Sequence, residues 1–355
     1  MKDRVNRRQM LSLAFVSILS PLARRFPSSL VTASGEAAYL APIIAAPILA
    51  LLVAAVARVL RDSGDMGVVL EKSLGKALGK LTIYIICIWL IFYSGFILRA
   101  AAYRFAATAY PGAEPWVFIL ISAAVCLPLA AGKFSALGRM SVLIRPLLLT
   151  ALGVVFLFSM VDGHFEGVFA LDSSDALPVG KSALTVVNTL AVVGYLTFGE
   201  GHCRESFQPG RWLFWAAMAC GITEMLCLSC LGVFGAELTG KLNYPFFMLV
   251  RDISIFNSFA RMEALVIALW MFADAILVST LLHIARCHLA RGWEKKPRLP
   301  AAVCCALAAT AGLLMPGDML GVGLFSEKII PIGNAVIIFG ILPIAVVIGL
   351  VRKRI

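Results

Sequence analysis

The sequence predicts an all-α polytopic membrane protein of about ten transmembrane helices. Of its 355 residues, 61% are hydrophobic and only 14% are charged, and the mean hydropathy is +0.92. A typical soluble domain is about 45–50% apolar and about 25% charged. These proportions exclude an ordinary soluble domain, a disordered chain and a disulfide-rich secreted module.

Ten apolar runs are each near the length of about 20 residues that a bilayer requires. They lie at about 10–33, 37–60, 81–109, 115–131, 141–161, 184–200, 211–236, 259–285, 299–315 and 328–351. We predict that the first run is a retained helix and not a cleaved signal peptide, because many spans follow it. The chain is therefore predicted to form a single membrane domain, 1–355.

The distribution of basic residues predicts that both termini face the cytoplasm. Of the 31 Lys and Arg residues, 21 lie at the termini and in the loops on one side, five lie on the other side, and five lie within the runs. Cytoplasmic loops of membrane proteins carry this excess. The formal net charge of +11 does not indicate nucleic-acid binding, because the basic residues are spread over short loops between apolar runs.

Two segments are predicted to be helices that do not cross the membrane. Residues 62–80 carry Glu71, Lys72 and other charges among Val and Leu at helical spacing, which is typical of an amphipathic helix lying along the inner surface. Residues 245–255 are too short to cross and are predicted to cover the bundle on its outer face.

Two of the runs contain a break, and both breaks predict a ligand site. Ser20-Pro21 interrupts the first run, and residues 197–201 place two glycines and a carboxylate near the end of the sixth. These runs are equivalent if ten helices divide five plus five. Paired broken helices at corresponding positions indicate the binding site of a transporter, although Pro and Gly also occur as simple kinks.

Ionisable residues inside apolar runs need a partner or a wet cavity. Glu200 is predicted to bind a ligand ammonium group or carry a coupling proton; its alternative is a pair with Arg204. Asp274 is near mid-depth of the eighth run and is either paired or functional. Arg24 and Arg25 either attract a ligand carboxylate or extend outward to the headgroups.

The predicted ligand-binding residues are Ser20, Pro21, Arg24, Phe198, Gly199, Glu200, Gly201 and Asp274. Arg99 is a candidate structural partner for a buried carboxylate. No catalytic, metal or cofactor signature is present, and the Cys227–Cys230 spacing is attributed to an apolar helix. We therefore predict no enzyme activity, no metal and no cofactor.

Several short motifs, in this order and spacing, resemble one family over essentially the whole chain. They are Leu70-Glu71-Lys72, Leu98-Arg99, Phe198-Gly199-Glu200, Leu242-Asn243-Tyr244-Pro245, Leu249-Val250-Arg251 and Arg261-Met262-Glu263-Ala264-Leu265 with Trp270. The chain resembles the B-subunit permeases of spore nutrient-germinant receptors, a branch of the amino acid/polyamine/organocation transporter superfamily.

This resemblance implies a LeuT-like five-plus-five inverted repeat with broken first and sixth helices, divided as 1–165 and 183–355. It also implies that the protein senses a nutrient, such as an amino acid, in the spore inner membrane. The implied partners are the lipid bilayer, a larger membrane A-subunit and a lipoprotein C-subunit. The alternative function is a proton- or cation-coupled amino acid transporter, because fold does not fix function.

Overall fold

The computed structural model describes residues 3–24, 26–108, 112–166, 168, 173–252, 262–290, 297–316 and 319–352. Its α-helices are α1 (Arg7–Ala23), α2 (Phe26–Ser34), α3 (Leu40–Ser63), α4 (Met66–Leu74), α5 (Lys76–Thr108), α6 (Pro115–Ala131), α7 (Phe134–Asp162), α8 (Ala176–Ala191), α9 (Pro209–Lys241), α10 (Pro245–Asp252), α11 (Met262–Leu289), α12 (Arg298–Leu314), α13 (Met319–Leu324), α14 (Ile330–Ala335) and α15 (Leu342–Val351).

The helices in the described part of the chain confirm the polytopic membrane fold. Seven helical stretches are long and apolar enough to span a bilayer. The helices α6 and α12 are apolar but 17 residues long, and the broken first helix adds α1. These ten stretches correspond to the ten predicted runs.

The first helix is broken where the sequence predicts it. Asn6 and Gln9 form a capping box that starts α1, since the Asn6 side chain accepts from the Gln9 amide at 2.8 Å and the Gln9 side chain accepts from the Asn6 amide at 3.0 Å. Pro21 lies within the last turn, and α1 ends with Arg24 as its C-cap. Proline disrupts the hydrogen bonding of a helix at its own position.

The sixth helix changes type earlier than predicted. The α-helical part, α8, ends at Ala191, and the chain continues as a 3₁₀ helix over Val192–His202. Residues 197–201 therefore lie inside the 3₁₀ helix and not at the transition. The transition comes at Val192-Val193-Gly194, where two β-branched residues and a glycine combine weak helix propensities. Long 3₁₀ stretches are uncommon and often mark a hinge.

The last span contains two π-helical turns. These turns are Phe325–Ile329, between α13 and α14, and Val336–Ile341, between α14 and α15. Such turns occur frequently at functional sites because they displace side chains from the regular helix register. Both turns contribute side chains to the cavity described below.

Each of the two segments predicted not to cross the membrane contains a short helix, but residues 62–63 and 76–80 belong to the ends of the long helices α3 and α5. The 62–80 segment divides into α4 and the first turn of α5, separated by Gly75 at a φ of 86°. Gly tolerates this left-handed conformation. The α10 helix begins the 245–255 segment, and residues 253–255 lie outside the described residues.

In the core of the bundle, α11 packs on α1, α5, α6 and α7.

Candidate ligand-binding site

A cavity of about 900 Å³ lies beside the break in the first helix. Sites for small molecules typically have volumes of about 300–1,000 Å³. Polar and aromatic side chains line it: Arg24, Phe26, Ser28, Ser29, Thr32, Tyr93, Phe96, Thr185, Asn188, Thr189, Ser326, Glu327, Asn334 and Phe339. The wall also includes Pro21 and Val192, so both the first-helix break and the α-to-3₁₀ transition reach the cavity.

Arg24 places a buried positive charge in the cavity wall. Its side chain is buried, its Nε donates to the Ser20 carbonyl at 3.3 Å, and its guanidinium carbon lies 5.2 Å from the centre of the Phe96 ring. The Nη1 atom makes no hydrogen bond to the described residues. A buried, unpartnered donor of this kind carries a desolvation penalty that an anionic ligand would remove.

Ser20 and Asp274 join the broken helix to the centre of the bundle. The Ser20 hydroxyl donates to Asp274 Oδ1, and Arg104 Nη2 donates to Asp274 Oδ2, in a charge-assisted pair. All three side chains are buried, and they come from α1, α11 and α5. Asp274 is therefore paired, and its partner is Arg104, whereas Arg99 was the predicted partner for a buried carboxylate.

A second polar cluster is centred on Asn334, which also lines the cavity. Asn334 in α14 accepts from Trp89 Nε1 at 2.9 Å and from the Tyr195 hydroxyl at 2.8 Å. These bonds connect α5, the 3₁₀ helix and the last span, and they orient the Asn334 amide. Asn334 was missed at the sequence level, although a single amide in an otherwise apolar run is a detectable signal of a polar contact.

The predicted residues 198–201 lie at the opposite end of α1. Glu200 pairs with Arg7 at 2.5 Å, and the two side chains are 6% and 0% exposed. The Phe198 carbonyl lies 3.3 Å from His288 Nε2, and an added Cβ on Gly199 would lie 2.9 Å from the Phe134 ring. The Glu200–Arg7 pair replaces the predicted Glu200–Arg204 alternative.

A short backbone pairing explains how Arg7 reaches Glu200. The Val5 amide donates to the His202 carbonyl at 2.9 Å, and the Arg204 amide donates to the Val5 carbonyl at 2.9 Å. Arg7 also donates from Nη2 to the Glu205 carbonyl at 2.8 Å. The segment before α1 is thus fixed to the end of the 3₁₀ helix.

Two carboxylates outside the spans flank this end of the bundle and have opposite pKa shifts. Burial raises the pKa of Asp65, and the attraction of His288 offsets this only in part. Burial alone would raise the pKa of Asp3 as well, but hydrogen bonds from Ser135 and from the Phe134 amide lower it below the ordinary value.

The structure therefore divides the predicted site into two regions. Pro21 and Arg24 line the cavity, and Ser20 and Asp274 form the buried cluster next to it, whereas residues 198–201 belong to the Arg7 end. Arg25, which was considered with Arg24, lies outside the described residues.

The arrangement of helices is that of a LeuT-like membrane protein. The crystal structure of MhsT in complex with L-phenylalanine is similar in fold, with a TM-score of 0.63 and 14% sequence identity. The similarity covers 99% of this chain and 99% of that one. No curated protein matches the chain by sequence.

The family follows from the sequence match. Residues 4–310 match the spore permease model, which is described as a spore germination protein. Since the match extends over most of the chain, the protein belongs to this family, as the motifs indicated. It is an integral membrane protein with the family and fold of permeases, not those of enzymes.

Proposed function

We propose that the protein senses a small carboxylate-bearing nutrient, such as an amino acid, in the cavity beside the first-helix break. The observation that carries this proposal is the buried Arg24 guanidinium in the cavity wall, with one nitrogen that makes no hydrogen bond to the described residues. A carboxylate is the ligand group that best matches a guanidinium in charge and geometry.

The rest of the cavity supports a zwitterionic ligand. Glu327 lies on the cavity wall, and its negative charge would attract an ammonium group of the ligand. The rings of Phe96 and Phe339 also line the cavity and provide apolar surface for a ligand side chain. A few polar groups within a mainly apolar lining are typical of small-molecule sites.

The roles of the other predicted residues follow from their position. Ser20 and Asp274 support the broken helix from behind the cavity, and Pro21 opens the turn that places Arg24 in its wall. Phe198, Gly199, Glu200 and Gly201 act at the far end of α1, where Glu200 is neutralised by Arg7. In this proposal they control the conformation and do not contact the ligand.

We also propose the context that the family membership suggests. The protein is a permease-like subunit that works with a larger membrane A-subunit and a lipoprotein C-subunit in the spore inner membrane. Both termini face the cytoplasm, in accord with the 21-to-5 distribution of basic residues between the two sides. The halves 1–165 and 183–355 are the two inverted repeats.

A binding titration tests the ligand class. The purified protein is incubated with radiolabelled L-phenylalanine, L-alanine and other amino acids, and each bound ligand is then competed with its amino alcohol, which lacks the carboxylate. We expect saturable binding that the amino alcohols do not displace. Arg24→Gln should weaken binding by at least about tenfold, because a hydrogen bond to a charged group contributes about 1.5–3 kcal/mol.

Arg99→Gln is the matched control, because Arg99 is also a buried arginine but does not line the cavity. Equal affinities of the protein and its Arg24→Gln variant would overturn the carboxylate assignment. Concentrative uptake in proteoliposomes under a proton gradient would favour the transporter alternative over sensing alone.

A further inference from the structure

We propose that His202, His283 and Cys287 form a binding site for a transition-metal ion of the Zn²⁺ type. One potential ligand atom from each of these residues lies within 4.8 Å of the others. His283 and Cys287 are one helical turn apart on α11, and His202 ends the 3₁₀ helix. This inference is independent of the proposed nutrient site.

The hydrogen bonds of both histidines leave a ligand nitrogen available. His202 Nδ1 lies 3.2 Å from the Asp3 carbonyl, and His283 Nδ1 lies 3.1 Å from the Ala130 carbonyl. A carbonyl only accepts, so a hydrogen bond to it requires the proton on Nδ1, and in that tautomer Nε2 keeps its lone pair. Metal-binding histidines are oriented by the same kind of bond from the second ring nitrogen.

The unsatisfied ring nitrogen of His283 supplies an independent indication of a ligand site. Its side chain is 2% exposed, and its Nε2 makes no hydrogen bond to the described residues. In the other tautomer, Nδ1 would accept from Arg286 Nη2 at 3.2 Å, and the Nε2–H group would be buried without an acceptor. Nε2 is unsatisfied in either case, and a metal ion would satisfy it.

The ligand set selects the class of ion. Two imidazoles and one thiolate suit Zn²⁺ and similar borderline ions, and they disfavour Mg²⁺ and Ca²⁺, which prefer oxygen. The thiol of Cys287 loses its proton on binding, so its negative charge offsets the nearby Arg286 guanidinium. The three ligands leave one coordination position for water.

The position of the site indicates what the ion does. It joins the end of the 3₁₀ helix to α11, and His202 is two residues beyond Glu200, the partner of Arg7. An ion bound only in this arrangement stabilises it by mass action. Half-buried His202 and Cys287 provide access for the ion.

The test uses the full-length protein, stripped of metal with a chelator and titrated with Zn²⁺ and with Co²⁺. We expect one Co²⁺ per chain with a thiolate-to-metal absorption band. Cys287→Ser should abolish the band, and His202→Gln should weaken Zn²⁺ binding by at least about tenfold, the effect that even outer-shell changes produce. Cys203→Ser is the control, because this neighbouring half-buried cysteine is outside the cluster.

A second measurement needs no variant. In the unmodified protein, Zn²⁺ should protect Cys287 more than Cys203 from alkylation, as read by mass spectrometry. The proposal is overturned if binding is not saturable, if it persists unchanged in both variants, or if Zn²⁺ protects the two cysteines equally.

Discussion

Removing one partner of the Arg7–Glu200 pair is expected to destabilise the protein by about 3–5 kcal/mol. The pair is 2.5 Å long, and its side chains are only 0% and 6% exposed. Neutralising Glu200 as Glu200→Gln leaves the Arg7 guanidinium buried without its counter-charge. Arg7 keeps its bond to the Glu205 carbonyl, which compensates for little of the lost ionic interaction.

A double-mutant cycle separates the pair from the effects of each substitution. The cycle uses Arg7→Gln, Glu200→Gln and the double variant. We expect the double variant to be more stable than the sum of the single effects predicts, by at least about 1 kcal/mol, because it leaves no unpaired buried charge. The control cycle uses Lys241 and Glu237, which form an ion pair of 2.6 Å between side chains that are 69% and 86% exposed. This exposed pair should show no measurable coupling energy.

The assay is equilibrium unfolding of the purified protein in detergent micelles, followed by circular dichroism. A Glu200→Gln effect no larger than that of Glu237→Gln would refute the reasoning that the buried Arg7–Glu200 pair stabilises the protein. Additive single effects would also refute it, because they would show that the two side chains do not interact in solution.

Three other substitutions, Ser20→Ala, Asp65→Asn and Asp3→Asn, test the buried polar groups and the flanking carboxylates. Ser20→Ala should lower the free energy of unfolding by about 1.5–3 kcal/mol in the same assay, because it removes a donor to the charged Asp274. Ser17→Ala is the control and should be nearly neutral, because the buried Ser17 hydroxyl has no hydrogen-bond partner among the described residues. Asp65 has a raised pKa, so its contribution to stability is present below the ordinary value of 3.8 and is lost as the pH rises through the folded-state pKa. Asp65→Asn should remove this loss. Asp3 has a lowered pKa, so its contribution to stability is present above 3.8 and is lost as the pH falls through the folded-state pKa. Asp3→Asn should remove this loss at low pH, as measured by unfolding at a series of pH values.

The sequence was sufficient for the fold because the bilayer imposes simple local rules. Run lengths near 20 residues predicted the spans, and Pro21 predicted the break in the first helix, because each signal depends only on neighbouring residues. The predicted break at 197–201 lies inside the 3₁₀ helix, but the glycines there do not indicate where that helix begins. In the structure, the change of helix type begins instead at Val192.

The buried partners could not be predicted in the same way. Arg7 and Glu200 are far apart in the sequence and meet only because residues around Val5 pair with the chain after the 3₁₀ helix. The local alternative, Arg204, had the favourable i, i+4 spacing and no tertiary support. Likewise, Arg104 and Arg99 both lie in the third run, and only packing against α11 distinguishes the one that pairs with Asp274.

Sensing and transport differ in what happens to the buried pair at the end of α1 far from the cavity. From Arg7 to Ser20, α1 rises by about 20 Å, so one helix connects the cavity end with the Arg7–Glu200 pair. A sensor needs only a ligand that binds one of two conformations more tightly than the other. A transporter must also open this end in every cycle, which separates two buried charges at a cost of several kcal/mol. In the proposed function, sensing and transport share the cavity as the ligand site, and the state of the Arg7–Glu200 pair during the response distinguishes them.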